Sequence, residues 1–228
     1  MDGPGVRFAA FLSGCPMRCQ YCHNPDTWHA GGEAMTAGEL WERARRYQHY
    51  WRPRGGVTLS GGEPMLQMDF AHAFFSLAKA NGVQTALDTS GASYRETPEV
   101  LKRFDALMAQ TDLILLDIKA MDDALHKKLT GRTNENILQM ARRLSTLGKE
   151  MWIRHVLVPG ITGSTPELLA MRRFIDSLRT VSRAEILPYH AMGAGKWAAL
   201  GMAYPLEGVK APTQEEIEHA QRLLGARA

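Results

Sequence analysis

The segment Val6-Arg-Phe-Ala-Ala-Phe-Leu-Ser-Gly-Cys-Pro-Met-Arg-Cys-Gln-Tyr-Cys22 joins a short apolar run to a loop that holds all three cysteines of the chain. The run over residues 6–12 has the length and composition of a buried β-strand. Thiol side chains therefore follow directly after the end of a predicted strand. The same order, an apolar run and then polar residues, recurs along the rest of the chain.

Five more runs of this kind are predicted as strands, at residues 57–60, 83–88, 113–118, 151–158 and 184–188. Helix-like stretches separate the runs. Strands that alternate with helices predict a parallel sheet with right-handed crossovers, and spacing alone leaves an open sheet and a partial barrel as alternatives. The helical stretches begin near Thr36, Gln67, Pro98, Asn134, Ser164 and Thr213, with capping-box signatures at Thr36/Glu39, Ser164/Glu167 and Thr213/Glu216.

Composition is that of one globular domain. A chain of 228 residues that is 45% hydrophobic can bury one sizeable core, so residues 1–228 are predicted to form a single α/β domain. The net charge of +3 comes from interspersed side chains and does not favour nucleic-acid binding. Neither a signal peptide nor a membrane span is predicted, which indicates a cytoplasmic protein with no membrane partner.

Polar groups follow all six predicted strands. Because ligands bind at the carboxyl edge of parallel sheets and barrels, this clustering predicts a functional site at that edge. After the cysteine loop, the groups are Ser60-Gly61-Gly62-Glu63, Asp88-Thr89-Ser90-Gly91, Asp117-Ile118-Lys119, Arg154-His155 and Pro188-Tyr189-His190.

The spacing C-x3-C-x2-C indicates metal ligation. An odd number of closely spaced cysteines argues against a disulfide framework. Three thiolates could hold an iron–sulfur cube and leave its fourth iron without a protein ligand. A zinc site that uses His23 as a fourth ligand is the main alternative, although adjacent Cys22 and His23 side chains rarely converge on one ion, and unligated thiols are the third.

An aromatic residue, Tyr21, precedes the last cysteine, and with it the loop resembles that of the radical S-adenosylmethionine enzymes. More of the chain is similar to the glycyl-radical-enzyme activases, and among these to the pyruvate formate-lyase activating enzymes. The interval 24–60 contains no cysteine, which favours the short type that acts on pyruvate formate-lyase. The segments that carry the resemblance are 2–8, 22–24, 26–28, 60–63, 116–119, 152–154, 187–190 and 196–197.

The resemblance implies a partial (β/α)6 barrel and an oxidoreductase that works under anaerobic conditions. It implies a [4Fe–4S] cluster on Cys15, Cys19 and Cys22, with S-adenosylmethionine bound at the open iron. One electron would break the C5′–S bond, and the 5′-deoxyadenosyl radical would take hydrogen from a glycine Cα of pyruvate formate-lyase. A flavodoxin or ferredoxin is the implied electron donor.

Roles for further residues follow from the same resemblance. The amino group of the methionine part of S-adenosylmethionine would be met by Gly61, Gly62 and Glu63. The charged ends of the same molecule would be met by Asp117, Ile118 and Lys119. Asp88 and Asp117 would also help to hold a monovalent cation. His190, Tyr21 and His23 would contact adenosine, while Asp2 and Arg154 would hold the target glycine loop.

Two departures from the family pattern stand out. Family members usually carry a further stretch before the Asp2-Gly-Pro-Gly segment, so the amino-terminal part is expected to be incomplete here. Ser90 stands where asparagine is common. Three alternatives remain open: an activase of another glycyl-radical enzyme, a radical S-adenosylmethionine enzyme acting on a small molecule, and a zinc-stabilised binding module.

Overall fold

A single parallel sheet organises the protein. The structure, a computed structural model, describes residues 2–51 and 53–225. All six predicted strands are present, and β6 begins three residues before the predicted start because its first residues pair with β5 across a bulge. The strands are β1 Arg7–Leu12, β2 Gly56–Gly61, β3 Gln84–Thr89, β4 Leu113–Asp117, β5 Glu150–Leu157 and β6 Val181–Pro188.

The strand order distinguishes between the two architectures that spacing left open. Neighbours run β1-β2-β3-β4-β5-β6, every pair is parallel, and the order never reverses. A doubly wound sheet needs a reversal, whereas right-handed crossovers that all step the same way place every helix on one face. Among the described strands β1 and β6 do not pair, so the barrel is incomplete. The predicted partial (β/α)6 barrel is confirmed.

The helices cover the outer face of the sheet. Six lie where the sequence predicted them, and α4 and α7 are additional. Helix α4 had recognisable signals, because Asp122 caps its start by accepting from Leu125 N at 2.7 Å and Gly131 ends it with a φ of 76°. The bounds are α1 Ala37–Ala44, α2 Met68–Ala80, α3 Pro98–Ala109, α4 Asp123–Thr130, α5 Glu135–Thr146, α6 Thr165–Asp176, α7 Ala194–Ala199 and α8 Gln214–Leu224.

The predicted capping boxes at Thr36 and Thr213 are both present. The prediction of a third capping box, at Ser164 and Glu167, was wrong, because the Ser164 side chain makes no capping hydrogen bond. Its expected partner, Glu167, is buried and accepts instead from the backbone N–H groups of Met121 and Asp122. A carboxylate on α6 therefore holds the segment that leads from β4 into α4.

The main core lies between the sheet and the helices. Phe74, Phe75 and Phe104 on α2 and α3 are fully buried there against strand residues such as Leu59 and Leu87. A smaller apolar cluster lies near the carboxyl edge of the strands and contains Tyr21, Leu129, Val158, Tyr189 and Leu206. None of the helices within residues 2–51 and 53–225 is long and apolar enough to cross a bilayer.

Candidate active site

A cavity of about 590 Å³ opens at the carboxyl edge of the sheet. Its lining includes residues from the ends of all six strands, as the sequence predicted. Of the candidate site residues, Glu63 and Ile118 are not among those that line it. The candidates that do line it are Asp2, Cys15, Cys19, Tyr21, Cys22, His23, Gly61, Gly62, Asp88, Asp117, Lys119, Arg154 and His190.

Backbone hydrogen bonds fix the start of the cysteine loop. Gly14 N donates to Thr27 O at 2.7 Å, and Cys15 N donates to Trp28 O at 3.1 Å. These two bonds fold the segment after the cysteines back onto the segment before them. The three thiols consequently line one wall of the cavity.

The Gly-Gly-Glu segment at the end of β2 holds the same loop from the other side. Gly62 N donates to Leu12 O at 2.8 Å, and Glu63 N donates to Gly14 O at 2.7 Å. A Cβ on Gly61 would lie 2.4 Å from Leu12 N, and one on Gly62 would lie 2.2 Å from Gly14 O. The glycines are therefore required for close packing of two backbones, in addition to the predicted access for a ligand.

Glu63 joins the ends of β2 and β3. Its side chain is fully buried and accepts hydrogen bonds from Thr89 Oγ1, from Ser90 N and Oγ, and from Met65 N. Burial raises the pKa of this carboxyl, and the four donated hydrogen bonds act in the opposite direction. The carboxylate thus supports the cavity wall, and its contact with an ammonium group stays a prediction. The serine that departs from the family pattern provides two of the donors.

Ile118 acts through its backbone. Its N–H donates to Arg154 O at 3.0 Å, and its carbonyl lies 2.9 Å from His155 Nδ1. Because both backbone groups are fixed and the Ile118 side chain is buried, Asp117 and Lys119 on either side face the cavity. Ile118 thus positions its two neighbours, and its contact with a ligand stays a prediction. His155 is a support that the sequence did not reveal.

A buried ionic network forms one wall of the cavity. Arg154, 7% exposed, bridges Asp88 and Asp117, with Nε 2.7 Å from Asp117 Oδ1. Lys119 Nζ lies 2.6 Å from Asp117 Oδ2, and Ser60 Oγ donates to Asp88 Oδ2 at 2.7 Å. Burial raises the pKa of Asp88 against the charge of Arg154. Burial opposes ionisation of Asp117 too, but the positive charges of Arg154 and Lys119 outweigh it and lower its pKa.

The expected monovalent cation does not fit these aspartates as they stand. The guanidinium of Arg154 already supplies positive charge between Asp88 and Asp117, and their carboxylate oxygens are hydrogen-bonded to Arg154, Lys119 and Ser60. Arg154 is likewise held within the wall and faces the cavity from there. We therefore assign no step to a bound cation.

Two histidines meet at the mouth of the cavity. The rings of His23 and His190 stack with centroids 4.2 Å apart, and His23 Nε2 lies 3.1 Å from His190 O. Burial lowers the pKa of His23, which favours the neutral ring. Gly193 allows this contact, since a Cβ there would lie 2.8 Å from His23 Cα. The loop that follows β1 is thereby connected to the segment that follows β6.

The Lys-Trp pair on α7 closes over the cysteine loop. Trp197 Nε1 donates to Cys22 O at 2.9 Å, while Lys196 Nζ lies 2.9 Å from Asn24 Oδ1 and 3.0 Å from Asp26 Oδ1. The sequence marked this pair only as part of the resemblance. Its contacts show that it fixes the backbone of the last cysteine.

The geometry fits a cluster better than a zinc ion. Within the described residues, no three or more His, Cys, Asp or Glu side chains are gathered as they would be around one metal ion. His23 is engaged with His190 and is not directed at the thiols as a fourth ligand. Three separate thiols on one cavity wall suit three irons of a cube. Burial raises the pKa of all three thiols, that of Cys19 to about 12, so thiolates there need the positive charge of a metal.

The cavity also offers groups suited to a charged, aromatic ligand. Lys119 and the aspartates provide charge of both signs, and Tyr21 provides a ring that Lys119 Nζ approaches to 5.7 Å. The Tyr21 hydroxyl is buried with no hydrogen-bond partner among the residues described. An orphaned hydroxyl of this kind is available to a ligand.

Comparisons with known proteins agree with these features. The profile of the Radical SAM superfamily matches residues 10–171. The chain is 51% identical to the pyruvate formate-lyase-activating enzyme of Streptococcus mutans, over 98% of this chain and 86% of that protein. It is 45% identical to the enzyme of the same name from Listeria monocytogenes, over 98% of this chain and 91% of that protein.

Solved structures show the same fold. A domain of the pyruvate-formate lyase-activating enzyme from Bacteroides vulgatus is 26% identical, with a TM-score of 0.62 over 76% of this chain and 97% of that chain. A radical SAM methyltransferase from Sphaerobacter thermophilus is 18% identical, with a TM-score of 0.67 over 96% of this chain and 63% of that chain. At that lower identity the second likeness concerns the fold alone.

Proposed function

The chain belongs to the radical SAM superfamily and, within it, to the pyruvate formate-lyase-activating enzymes, and from this premise we propose how its cavity carries out that activity. The protein is an oxidoreductase that uses a [4Fe–4S] cluster and S-adenosylmethionine. When bound, these groups supply the one-electron cleavage of the C5′–S bond that gives a 5′-deoxyadenosyl radical, which removes hydrogen from a glycine Cα of pyruvate formate-lyase.

The residues that would hold the cluster are Cys15, Cys19 and Cys22. They lie on one wall of the cavity and are held by the Gly-Gly-Glu segment and by Trp197. The sequence contains no fourth cysteine, so a cluster held by these three thiolates would keep one iron free for the amino and carboxylate groups of S-adenosylmethionine. The observation that carries the proposal is that the three cysteines, with no fourth in the sequence, line a cavity that charged side chains also line.

The other lining residues would hold S-adenosylmethionine by charge and ring contacts. Lys119 would pair with its carboxylate, and Asp117 and Asp88 would balance its positive groups. Tyr21 and the stacked His23 and His190 would enclose the adenosine. We propose that the Arg154 bridge holds both aspartates ionised and aimed inward, so that the ligand meets a preset charge pattern.

The incomplete barrel leaves room for a peptide loop. Asp2 lines the same cavity as Arg154, and its backbone carbonyl accepts from Thr58 Oγ1 at 2.7 Å, which fixes Asp2 beside β2. We propose that Asp2 and Arg154 face the target glycine loop. The reduced cluster requires an external electron, for which we propose a flavodoxin or ferredoxin, and we place the reaction in the cytoplasm.

The experiment measures cleavage of the cofactor and formation of the glycyl radical in the same reaction. Anaerobically reconstituted, reduced protein is mixed with S-adenosylmethionine and pyruvate formate-lyase, 5′-deoxyadenosine is quantified, and the glycyl radical is recorded as a doublet by electron paramagnetic resonance. Cys19→Ala should abolish both signals because it removes an iron ligand. Unchanged cleavage in this variant would refute the ligand assignment, and cleavage without the doublet would point to a different target.

A further inference from the structure

We propose that the exposed cations Arg18, Lys128 and Arg132, here called the basic face, form the docking surface for an acidic protein that delivers single electrons to the cysteine loop. The inference rests on the proposed function, since that function needs an external electron for each cleavage. It adds where the electron enters and what kind of surface delivers it.

The cysteine loop is docked on the carboxyl end of α4. Arg18 N donates to Thr130 O at 2.8 Å, Gln20 N donates to Leu129 O at 3.0 Å, and Gln20 Nε2 donates to Lys128 O at 3.0 Å. The loop and the last turn of α4 are therefore one continuous surface. Lys128 stands on that surface beside the loop.

Two guanidinium groups cover the loop carbonyls from outside. Arg18 Nη1 donates to Cys15 O and Met17 O, both at 2.7 Å, and Arg132 Nε donates to Pro16 O at 2.8 Å. Both arginines remain exposed to solvent. Positively charged guanidinium groups are consequently hydrogen-bonded to the carbonyls of Cys15, Pro16 and Met17, between the first cysteine and the second.

The basic face keeps its net charge. No carboxylate within the described residues lies close enough to Arg18, Lys128 or Arg132 to form an ion pair with it, whereas neighbouring Lys127 is neutralised by Asp123 at 2.6 Å. Three uncompensated cations on one surface attract a negatively charged surface over a distance of about 8 Å at physiological ionic strength. The chemistry that fits is a carrier with an acidic patch around its redox group.

The basic face is separate from the cavity. None of its three residues lines the cavity, although the thiols of the loop they cover do. The cavity must hold S-adenosylmethionine and the glycine loop at the moment of reaction, so its mouth is closed to a third partner. An electron that enters through the outer face of the loop reaches the cluster without displacing either substrate. In this step the carrier is oxidised by one electron and the cluster is reduced by one, with no bond formed or broken.

The test measures electron transfer directly. Reconstituted protein is mixed anaerobically in a stopped-flow instrument with excess flavodoxin hydroquinone, and the bimolecular rate constant is taken from the rise of the flavin semiquinone absorbance. The variants are Lys128→Glu and the double variant Lys128→Glu/Arg132→Gln. Arg179→Glu is the control with the same charge change as Lys128→Glu, because Arg179 is exposed just before β6, at the opposite edge of the sheet.

We expect the rate constant to fall about tenfold or more in the double variant and to change little in the control, with the difference shrinking as salt is added. Reduction by dithionite, a small anion that needs no docked orientation, should be affected far less. Equal flavodoxin rate constants in wild type and both variants would overturn the inference, and so would an equal loss with dithionite. If wild-type protein reduced by dithionite does not cleave S-adenosylmethionine, the proposed function fails instead.

Discussion

Replacing Arg154 by methionine should expose how the charged wall of the cavity is balanced. The substitution keeps most of the apolar volume and removes the guanidinium that bridges Asp88 and Asp117. Both carboxylates are more than four-fifths buried, with side-chain exposures of 14% and 18%. Removing one partner from a buried ion pair leaves an uncompensated charge and costs about 3 to 5 kcal/mol. Because Lys119 and Ser60 still contact the aspartates, we expect Arg154→Met to lose about 3 kcal/mol of unfolding free energy.

The loss should depend on pH. Burial already raises the pKa of Asp88, and loss of the Arg154 charge, which lowers it, would raise it further. A carboxyl whose pKa is higher in the folded state than in the unfolded state binds more protons when folded. The loss of unfolding free energy that this carboxyl causes is therefore absent below its pKa in the unfolded state. It grows as pH rises and is complete above the pKa in the folded state. The destabilisation should be larger at about pH 8 than at about pH 5.5.

Urea unfolding of the metal-free protein, followed by circular dichroism at both pH values, measures these differences. The double variant Arg154→Met/Asp88→Asn should be more stable than Arg154→Met at the higher pH, because it removes the unpaired charge. Arg103→Met breaks the exposed pair with Asp69 and should cost about 1 kcal/mol or less. A loss that is the same at both pH values, or a double variant less stable than the single one, would refute this account of the wall.

Two further predictions concern the loop and the helix ends. Gly62→Ala should lower the iron content after reconstitution, because the new Cβ displaces the Gly14 carbonyl. The control Gly195→Ala has nothing within 4 Å of its new Cβ and should retain full iron content. Equal iron contents in the two variants would contradict the packing argument. Thr213→Ala should lower the free energy of unfolding by about 1 kcal/mol, measured by chemical denaturation. Ser164→Ala should lower it clearly less, because the Ser164 hydroxyl makes no capping bond. Equal losses would mean that Ser164 does cap α6.

Strand positions and the location of the site followed from local patterns. Each apolar run became a strand, and their shared polar ends came together because parallel strands end at one edge. The capping pattern was less reliable. Ser164 and Glu167 have the same spacing as Thr213 and Glu216, yet Glu167 is drawn to the backbone of Met121 and Asp122, 45 or more positions away. A capping-box pattern of four residues contains no information about such a distant hydrogen-bond partner.

The roles of individual site residues were harder to predict for the same reason. The sequence did not indicate that Glu63, whose contact with a ligand stays a prediction, accepts hydrogen bonds from Thr89 and Ser90 at the end of the next strand. Nor did the sequence indicate that Arg154, whose contact with a peptide stays a prediction, also lies between Asp88 and Asp117 on two neighbouring strands. Sequence identifies which groups reach the cavity edge, whereas distances across the sheet decide which of them pair with each other.

The contacts of α7 with the cysteine loop have a consequence for how the enzyme matures. Trp197 bonds to Cys22 across 175 positions, and Lys196 reaches Asn24 across 172. During synthesis the cysteines leave the ribosome long before these partners exist, so a nascent chain presents three thiols on a loop that is not yet fastened. The loop therefore reaches the geometry that it has in the folded protein only after α7 has been made and has packed against it.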